Sequence, residues 1–184
     1  MGKLGLHVER RSFVLGGAFA AILLIVFYFA FFSGRGAGTH AYSVFSPNSE
    51  EDVAGLIRSA HKTIDLEMYV FTDERIAREL ADASARGVLV RVILEKRAES
   101  YNLDEISSAL LDAGVQVRWA SLNYKLTHSK MMVIDGERVF VGSTNFSNSA
   151  LNENREMAVV LDGGIVSDFI LGFEKDWGMA ARIK

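Results

Sequence analysis

The chain has 184 residues, room for one compact domain and an appendage, and no cysteine, which excludes disulfides, thiolate catalysis and cysteine-based zinc sites. Its formal net charge is −3, but four of the 20 Lys and Arg (Lys3, Arg10, Arg11, Arg35) and only one of the 23 Asp and Glu (Glu9) precede residue 39. The remainder therefore carries −6, which counts against a large nucleic-acid footprint, since such footprints are usually basic.

Phe13 to Phe32 is twenty residues without a charge, long enough to cross a bilayer as a helix and apolar all round. Lys3, Arg10 and Arg11 precede it and only Arg35 follows closely, so the positive-inside rule leaves residues 1–12 in the cytoplasm and the rest outside. The length of the run favours a retained single-pass signal-anchor; cleavage near Gly36, Ala37 and Gly38 would instead give a secreted protein. Residues 33–46, rich in Gly, Ser and Ala, read as a linker, and residues 47–184 as the folded domain.

Helical and strand patterns then alternate. Asn48 or Ser49 opens a helix to His61, with Glu50, Glu51 and Asp52 in its first turn. Thr63–Val70 alternates as a strand, with Ile64, Leu66, Met68 and Val70 on one face and Asp65, Glu67 and Tyr69 on the other. A helix over Asp73–Arg86 ends at Gly87, a strand covers Val88–Leu94, a helix over Leu103–Ala113 closes at Gly114, and Val115–Trp119 is a strand. Strands His128–Ile134 and Glu137–Gly142 flank Asp135-Gly136, a two-residue hairpin signal. Arg155–Leu161 is a further strand, and Ile165–Trp177 a terminal helix whose Phe169, Phe173 and Trp177 form a core-packing stripe. The expected fold is an α/β domain, a sheet covered by helices.

The chemistry concentrates in one hairpin. His128 and Lys130 are two apart in a strand and share a face. With a two-residue turn, Ile134 opposes Glu137, Lys130 opposes Val141 and His128 opposes Ser143, so His128, Lys130, Ser143 and Asn145 converge while Met131, Val133 and Phe140 face away. Such a cluster suits a phosphate: Lys130 supplies charge, Ser143 and Asn145 supply hydrogen bonds, and His128 attacks phosphorus or moves a proton. Each residue alone reads equally well as part of an exposed polar hairpin, and Asp135 alone reads as a turn residue. No pair of histidines has a ligand-like spacing such as H-E-x-x-H, which makes metal catalysis the weaker enzymatic reading, and nothing in the residues calls for another cofactor.

His128-x-Lys130-x4-Asp135 followed by Gly142-Ser143-x-Asn145 resembles the signature of the phospholipase D superfamily. So do "TIDLEMYVFTD", "ARGVLVRVI", "LLDAGVQVRW" and "NREMAVVL", and the likeness covers about residues 42–180. It is nearest to the single-motif members, which include bacterial endonucleases and mitochondrial cardiolipin hydrolases. The resemblance implies a mixed β-sheet flanked by helices and a metal-free phosphodiesterase that works through a phosphohistidine. His128 would be the nucleophile, Lys130 and Asn145 would bind phosphate with Ser143 assisting, and Asp135 and Gly142 would be structural. Glu156 would orient the His128 imidazole, with Glu153 the neighbouring alternative.

One motif supplies one histidine, whereas in-line displacement needs a nucleophile and a general acid on opposite sides of phosphorus. His7, His40 and His61 are poorly placed, so the second His128 is expected from another copy, in a two-fold dimer with the site at its axis. A membrane tether and an acidic domain favour a phospholipid substrate; a non-specific endonuclease acting on DNA or RNA is the alternative, and a catalytically silent, membrane-tethered binding module a third.

Overall fold

The computed structural model describes residues 38–98 and 103–183; the expected Phe13–Phe32 span and the cytoplasmic N-terminus lie outside the described residues. Among the described residues, no helix is long and apolar enough to cross a membrane.

Eight strands form one mixed sheet: β1 (Ala41–Phe45), β2 (Thr63–Met68), β3 (Leu89–Leu94), β4 (Gln116–Trp119), β5 (Lys130–Ile134), β6 (Arg138–Gly142), β7 (Met157–Asp162) and β8 (Ala181–Arg182). Their order across the sheet is β1-β7-β6-β5-β2-β3-β4-β8. β2, β3 and β4 are parallel and are linked by helices α2 (Glu74–Ala85) and α3 (Leu103–Asp112), as parallel strands require. Helix α1 (Glu50–Arg58) follows β1, and α4 (Val166–Met179) follows β7.

Two layers of helix cover the sheet. Ile57 of α1, Ile76 and Leu80 of α2, and Ile106 and Leu110 of α3 pack on Ile64, Leu66, Met68, Val92, Met132, Ile134 and Phe140. On the opposite face, α4 sets Phe173 and Trp177 against Ile93 and Met131, and Val166 against Val133 and Val139. The aromatic stripe of the last helix is thus core, with Phe173 and Trp177 stacked at 5.7 Å.

The alternation read in β2 holds for Ile64, Leu66 and Met68, but its polar side is not solvated, because α4 covers it. Asp65 and Glu67 are both buried there. Asp65 is matched by Arg91, which donates to it through Nε at 2.6 Å and Nη2 at 2.9 Å, reaches Glu174 as well, and lies over the Phe173 ring. A buried charge is tolerable when paired in this way.

Three readings need correction. Residues 41–45, placed in the linker, are the edge strand β1, antiparallel to β7 with Val44 beside Ala158. Only Val44 of that strand is buried, so it carries no apolar period. Second, the hairpin loop holds three residues, not two: Ile134 pairs with Arg138, and the Glu137 N–H donates to the Ile134 carbonyl. Asp135 and Gly136 take φ of 56° and 68°, the left-handed region in which Asp and Gly are tolerated. Third, this slip moves every opposed pair by one. Val141 faces Met131 instead of Lys130, and Phe140 sits with Met132 in the three-helix core.

Candidate active site

The strand directions bring several chain ends to one edge of the sheet. β2 ends there at Met68, β5 starts at Lys130, β6 ends at Gly142 and β7 starts at Met157, because β5 is antiparallel to both β2 and β6, and β7 to β6. All the residues expected to carry chemistry lie in or beside these four ends.

His128 precedes β5 rather than lying in it, so its position does not follow from strand alternation. It is held by its neighbours. The Tyr69 N–H donates to the Ser129 carbonyl at 3.0 Å, and the Tyr69 and His128 rings are 4.4 Å apart. Lys130, opposite Met68, is buried at 7% exposure. Its Nζ donates to the His128 carbonyl at 2.8 Å, lies 3.2 Å from His128 Nδ1, and sits 5.0 Å from the centre of the Tyr69 ring. Burial, and then the Lys130 charge, draw His128 below the usual histidine range, which favours the neutral imidazole. Burial likewise lowers Lys130, against the opposing pull of Glu156.

Gly142 closes the hairpin edge for a steric reason. A Cβ there would lie 2.3 Å from the Met157 carbonyl oxygen and 2.5 Å from the Ala158 Cα. No side chain fits, and the close approach lets the Ser143 N–H donate to the Met157 carbonyl at 2.9 Å. The Ser143 hydroxyl donates to Glu156 Oε2 and accepts from the Met157 N–H at 3.2 Å. The Glu156 backbone is tied in turn to Ser46 Oγ at 2.8 Å.

Glu156 and Glu153, left as alternatives by the sequence, part company here. Glu153 ends a short π-helical turn, Ser149–Glu153, and accepts from Asn148 Nδ2 at 2.7 Å. Glu156 faces Ser143 and acts electrostatically on Lys130. Within one chain its hydrogen bonds go to Ser143 and Asn154, not to His128. Asn145 lies where the chain runs beside Val70–Thr72, bound through the Phe146 N–H to the Val70 carbonyl at 3.1 Å; its Oδ1 is buried with no hydrogen-bond partner. Asp135 is at the other end of β5, and its carboxylate accepts from the backbone N–H groups of His61, Lys62 and Thr63.

Several residues were missed. Tyr69 touches both His128 and Lys130, and its place on a strand face next to the motif's partner strand was the available signal. Glu67 lies opposite Met131 and Ile93, and burial raises its carboxyl to about 7, moderated by the Ser129 hydroxyl and reinforced by Asp176. Glu95 and Arg97 organise the loop before His128. Glu95, 1% exposed, accepts from Arg97 Nε at 2.7 Å and from the Thr127 N–H at 2.8 Å.

With the geometry in place, comparison with known proteins is specific. A family model described as "Cardiolipin synthase, PLD-like domain" matches residues 53–177. The chain is 31% identical over 136 residues to the mitochondrial cardiolipin hydrolase of Mus musculus, covering 71% of this chain and 60% of that protein. It is 29% identical over 122 residues to a phospholipase D of Rickettsia bellii, covering 65% and 58% respectively. The matches thus span about three fifths of these relatives' length. Among solved structures, the phospholipase D family member Nuc from Salmonella typhimurium superposes with a TM-score of 0.74 at 25% identity, covering 80% of this chain and 99% of Nuc.

Proposed function

The chain belongs to the phospholipase D superfamily, and we propose that it is a membrane-anchored phosphodiesterase that works through a phosphohistidine, with phospholipid as its substrate. The observation that carries this reading is the His128–Lys130 pair: an imidazole held 3.2 Å from a buried ammonium at a sheet edge, with burial and the Lys130 charge drawing its value down.

In the proposed reaction the His128 imidazole attacks phosphorus and the bond to the leaving oxygen breaks. That oxygen takes a proton from a second imidazole. The same imidazole then accepts a proton from water as the water attacks the phosphohistidine, releasing a phosphomonoester and restoring His128. Lys130 and Asn145 neutralise and orient the non-bridging oxygens. The Lys130 ammonium, whose hydrogen-bond acceptors among the described residues are both on His128, keeps capacity to donate to such a group, and Asn145 would donate to it through Nδ2. Glu156 acts through Ser143, fixing its hydroxyl, and through its charge on Lys130.

The second imidazole comes from a second copy of the chain, so the reading includes a two-fold dimer with two His128 residues at one site. The uncharged run Phe13–Phe32 anchors it, with the catalytic domain extracytoplasmic. Lipid is favoured over DNA or RNA by the −6 charge beyond residue 38 and by the names of the relatives, a cardiolipin hydrolase and a phospholipase D.

The test is a parallel assay of the full-length chain on cardiolipin, phosphatidylcholine, single-stranded DNA and RNA, with and without EDTA. Hydrolysis of phospholipid that persists in EDTA is expected. Preferential cleavage of nucleic acid would replace the lipid assignment with the endonuclease one, and loss of activity in EDTA restored by Mg²⁺ or Zn²⁺ would overturn the mechanism.

A further inference from the structure

The loop that leads from β4 into His128 turns its large apolar side chains outward. Leu122 is 81% exposed, Leu126 40% and Tyr124 38%, while Ser121 and Thr127 at the loop ends are buried. One exposed leucine is ordinary, but three large apolar side chains within five residues need an account.

The backbone prevents them from folding inward. Arg97 Nη1 donates to the Tyr124 carbonyl at 2.7 Å and the Lys125 carbonyl at 2.8 Å, and Nη2 reaches the Ser121 carbonyl at 3.3 Å. Buried Glu95 holds Arg97 and the Thr127 N–H, and the Tyr124 hydroxyl donates to Asp176 at 3.2 Å. Turning the loop inward would strip Arg97 of these three carbonyl acceptors and break the Tyr124–Asp176 hydrogen bond. The loop is therefore built to keep Leu122 and Leu126 in solvent, on the segment that leads into His128.

The rest of this end of the sheet has the same character. Phe45 and Met157 pair across β1 and β7 beside Glu156, and are 44% and 59% exposed. Lys96, Lys125 and Arg155 are exposed there too, interspersed with the carboxylates of Glu153, Glu156 and Asp176. Outward leucines among scattered cations suit the boundary of an anionic lipid layer, where apolar side chains enter and cations meet headgroups. Leu122, the most exposed of them, offers a nucleic acid neither a stacking surface nor a hydrogen bond.

We propose that the 121–127 loop is an interfacial contact, in which Leu122 and Leu126 dip into an anionic phospholipid layer and deliver a lipid phosphodiester to His128. This names the substrate surface for the phosphodiesterase reading and rests on it for the catalytic half of the test.

Because the chain has no cysteine, single labels are clean. Full-length Leu122→Cys and Leu126→Cys, carrying an environment-sensitive fluorophore, would be reconstituted into nanodiscs of phosphatidylcholine with or without cardiolipin. Leu111→Cys, in α3 and 38% exposed, is the control. Lipid-borne quenchers should quench the labels at 122 and 126, more so with cardiolipin, and spare the label at 111. Absent or equal quenching at the three sites overturns the proposal whether or not the chain is active. A label at 122 shielded in detergent without lipid, and unquenched in nanodiscs, assigns the loop to a second copy and equally overturns it. In the activity arm, the Leu122→Asp/Leu126→Asp double variant should hydrolyse bilayer lipid at least about tenfold more slowly, with turnover of the soluble diester bis(4-nitrophenyl) phosphate unchanged. An equal fall on both substrates would place the loop inside the site and contradict the proposal. A wild-type chain inert on both diesters would contradict the phosphodiesterase reading, and the quenching result would still decide the loop.

Discussion

Asp135 and His128 belong to one motif and lie beyond opposite ends of β5, yet their surroundings differ in kind. At the turn end, both Asp135 carboxylate oxygens are occupied by backbone N–H groups of residues 61–63 at 2.7–3.1 Å. Burial alone would raise that carboxyl, but the N–H groups of Thr63, Lys62 and His61 outweigh it and hold the group below the usual aspartate value. At the other end, Lys130 is buried, and its ammonium has hydrogen-bond acceptors only on His128 among the described residues, with the Tyr69 ring 5.0 Å away. The first arrangement is complete in the folded chain. The second keeps charge and hydrogen-bonding capacity that a bound phosphate would use. Substitutions at the two ends should therefore fail in different ways.

The largest effect is expected at the open end. His128→Ala should lower phosphodiesterase turnover by at least about 1,000-fold, as loss of a covalent nucleophile does, and Lys130→Ala should be similarly severe. Neither should shift the melting temperature by more than about 2 °C, because neither side chain completes the core. Near-wild-type turnover in His128→Ala, or collapse of its folding, would erase the contrast.

At the closed end the order reverses. Asp135→Ala removes a charged acceptor from three N–H groups and puts alanine at φ 56°. A loss of about 2–3 kcal/mol of stability is expected in urea unfolding, with measurable turnover in the folded fraction. Since the folded-state value of Asp135 is depressed, its contribution is present above the unfolded aspartate value and is lost as pH falls through the folded one. The wild-type-to-variant gap should accordingly narrow in acid; a gap independent of pH would assign the loss to backbone strain alone.

A smaller effect sharpens the same contrast beneath the site. Glu67, raised from 4.5 to about 7 mainly by burial, keeps its proton in the folded state at pH values where the unfolded chain has lost it. Stability should fall as pH rises from about 4.5 to 7 and then level off. Asp176 on α4 is the charged group facing it, and Ser129 the polar one. Glu67→Gln should flatten that slope and gain about 1–2 kcal/mol above neutrality. An unchanged slope would move the titration to another group.

Much of this was legible in the residues because periodicity reports burial. The strands and helices from α1 to α4 follow from apolar spacing and from glycines such as Gly87 and Gly114, at φ of 91° and 81°. His128, Lys130, Ser143, Asn145, Asp135 and Gly142 were singled out by residue type and spacing. The hairpin register was not, because Asp135-Gly136 specifies a turn but not whether Glu137 joins it. β1 was hidden because an edge strand with one buried side chain looks like a linker. The Glu95–Arg97 clamp was invisible for another reason: its partners are backbone atoms some 24 to 32 residues away in sequence, and backbone atoms leave no residue-type signature.

The central claim is that one active site uses two copies of His128. Wild-type and His128→Ala chains carrying different affinity tags can be co-expressed at several ratios, with random assortment verified by sequential purification. If each site needs both imidazoles, a mixed dimer has either no nucleophile or no general acid, and activity follows the square of the wild-type fraction: about one quarter at equal mixing. Activity proportional to the wild-type fraction, about one half at equal mixing, would contradict the shared site even if His128 itself proved essential.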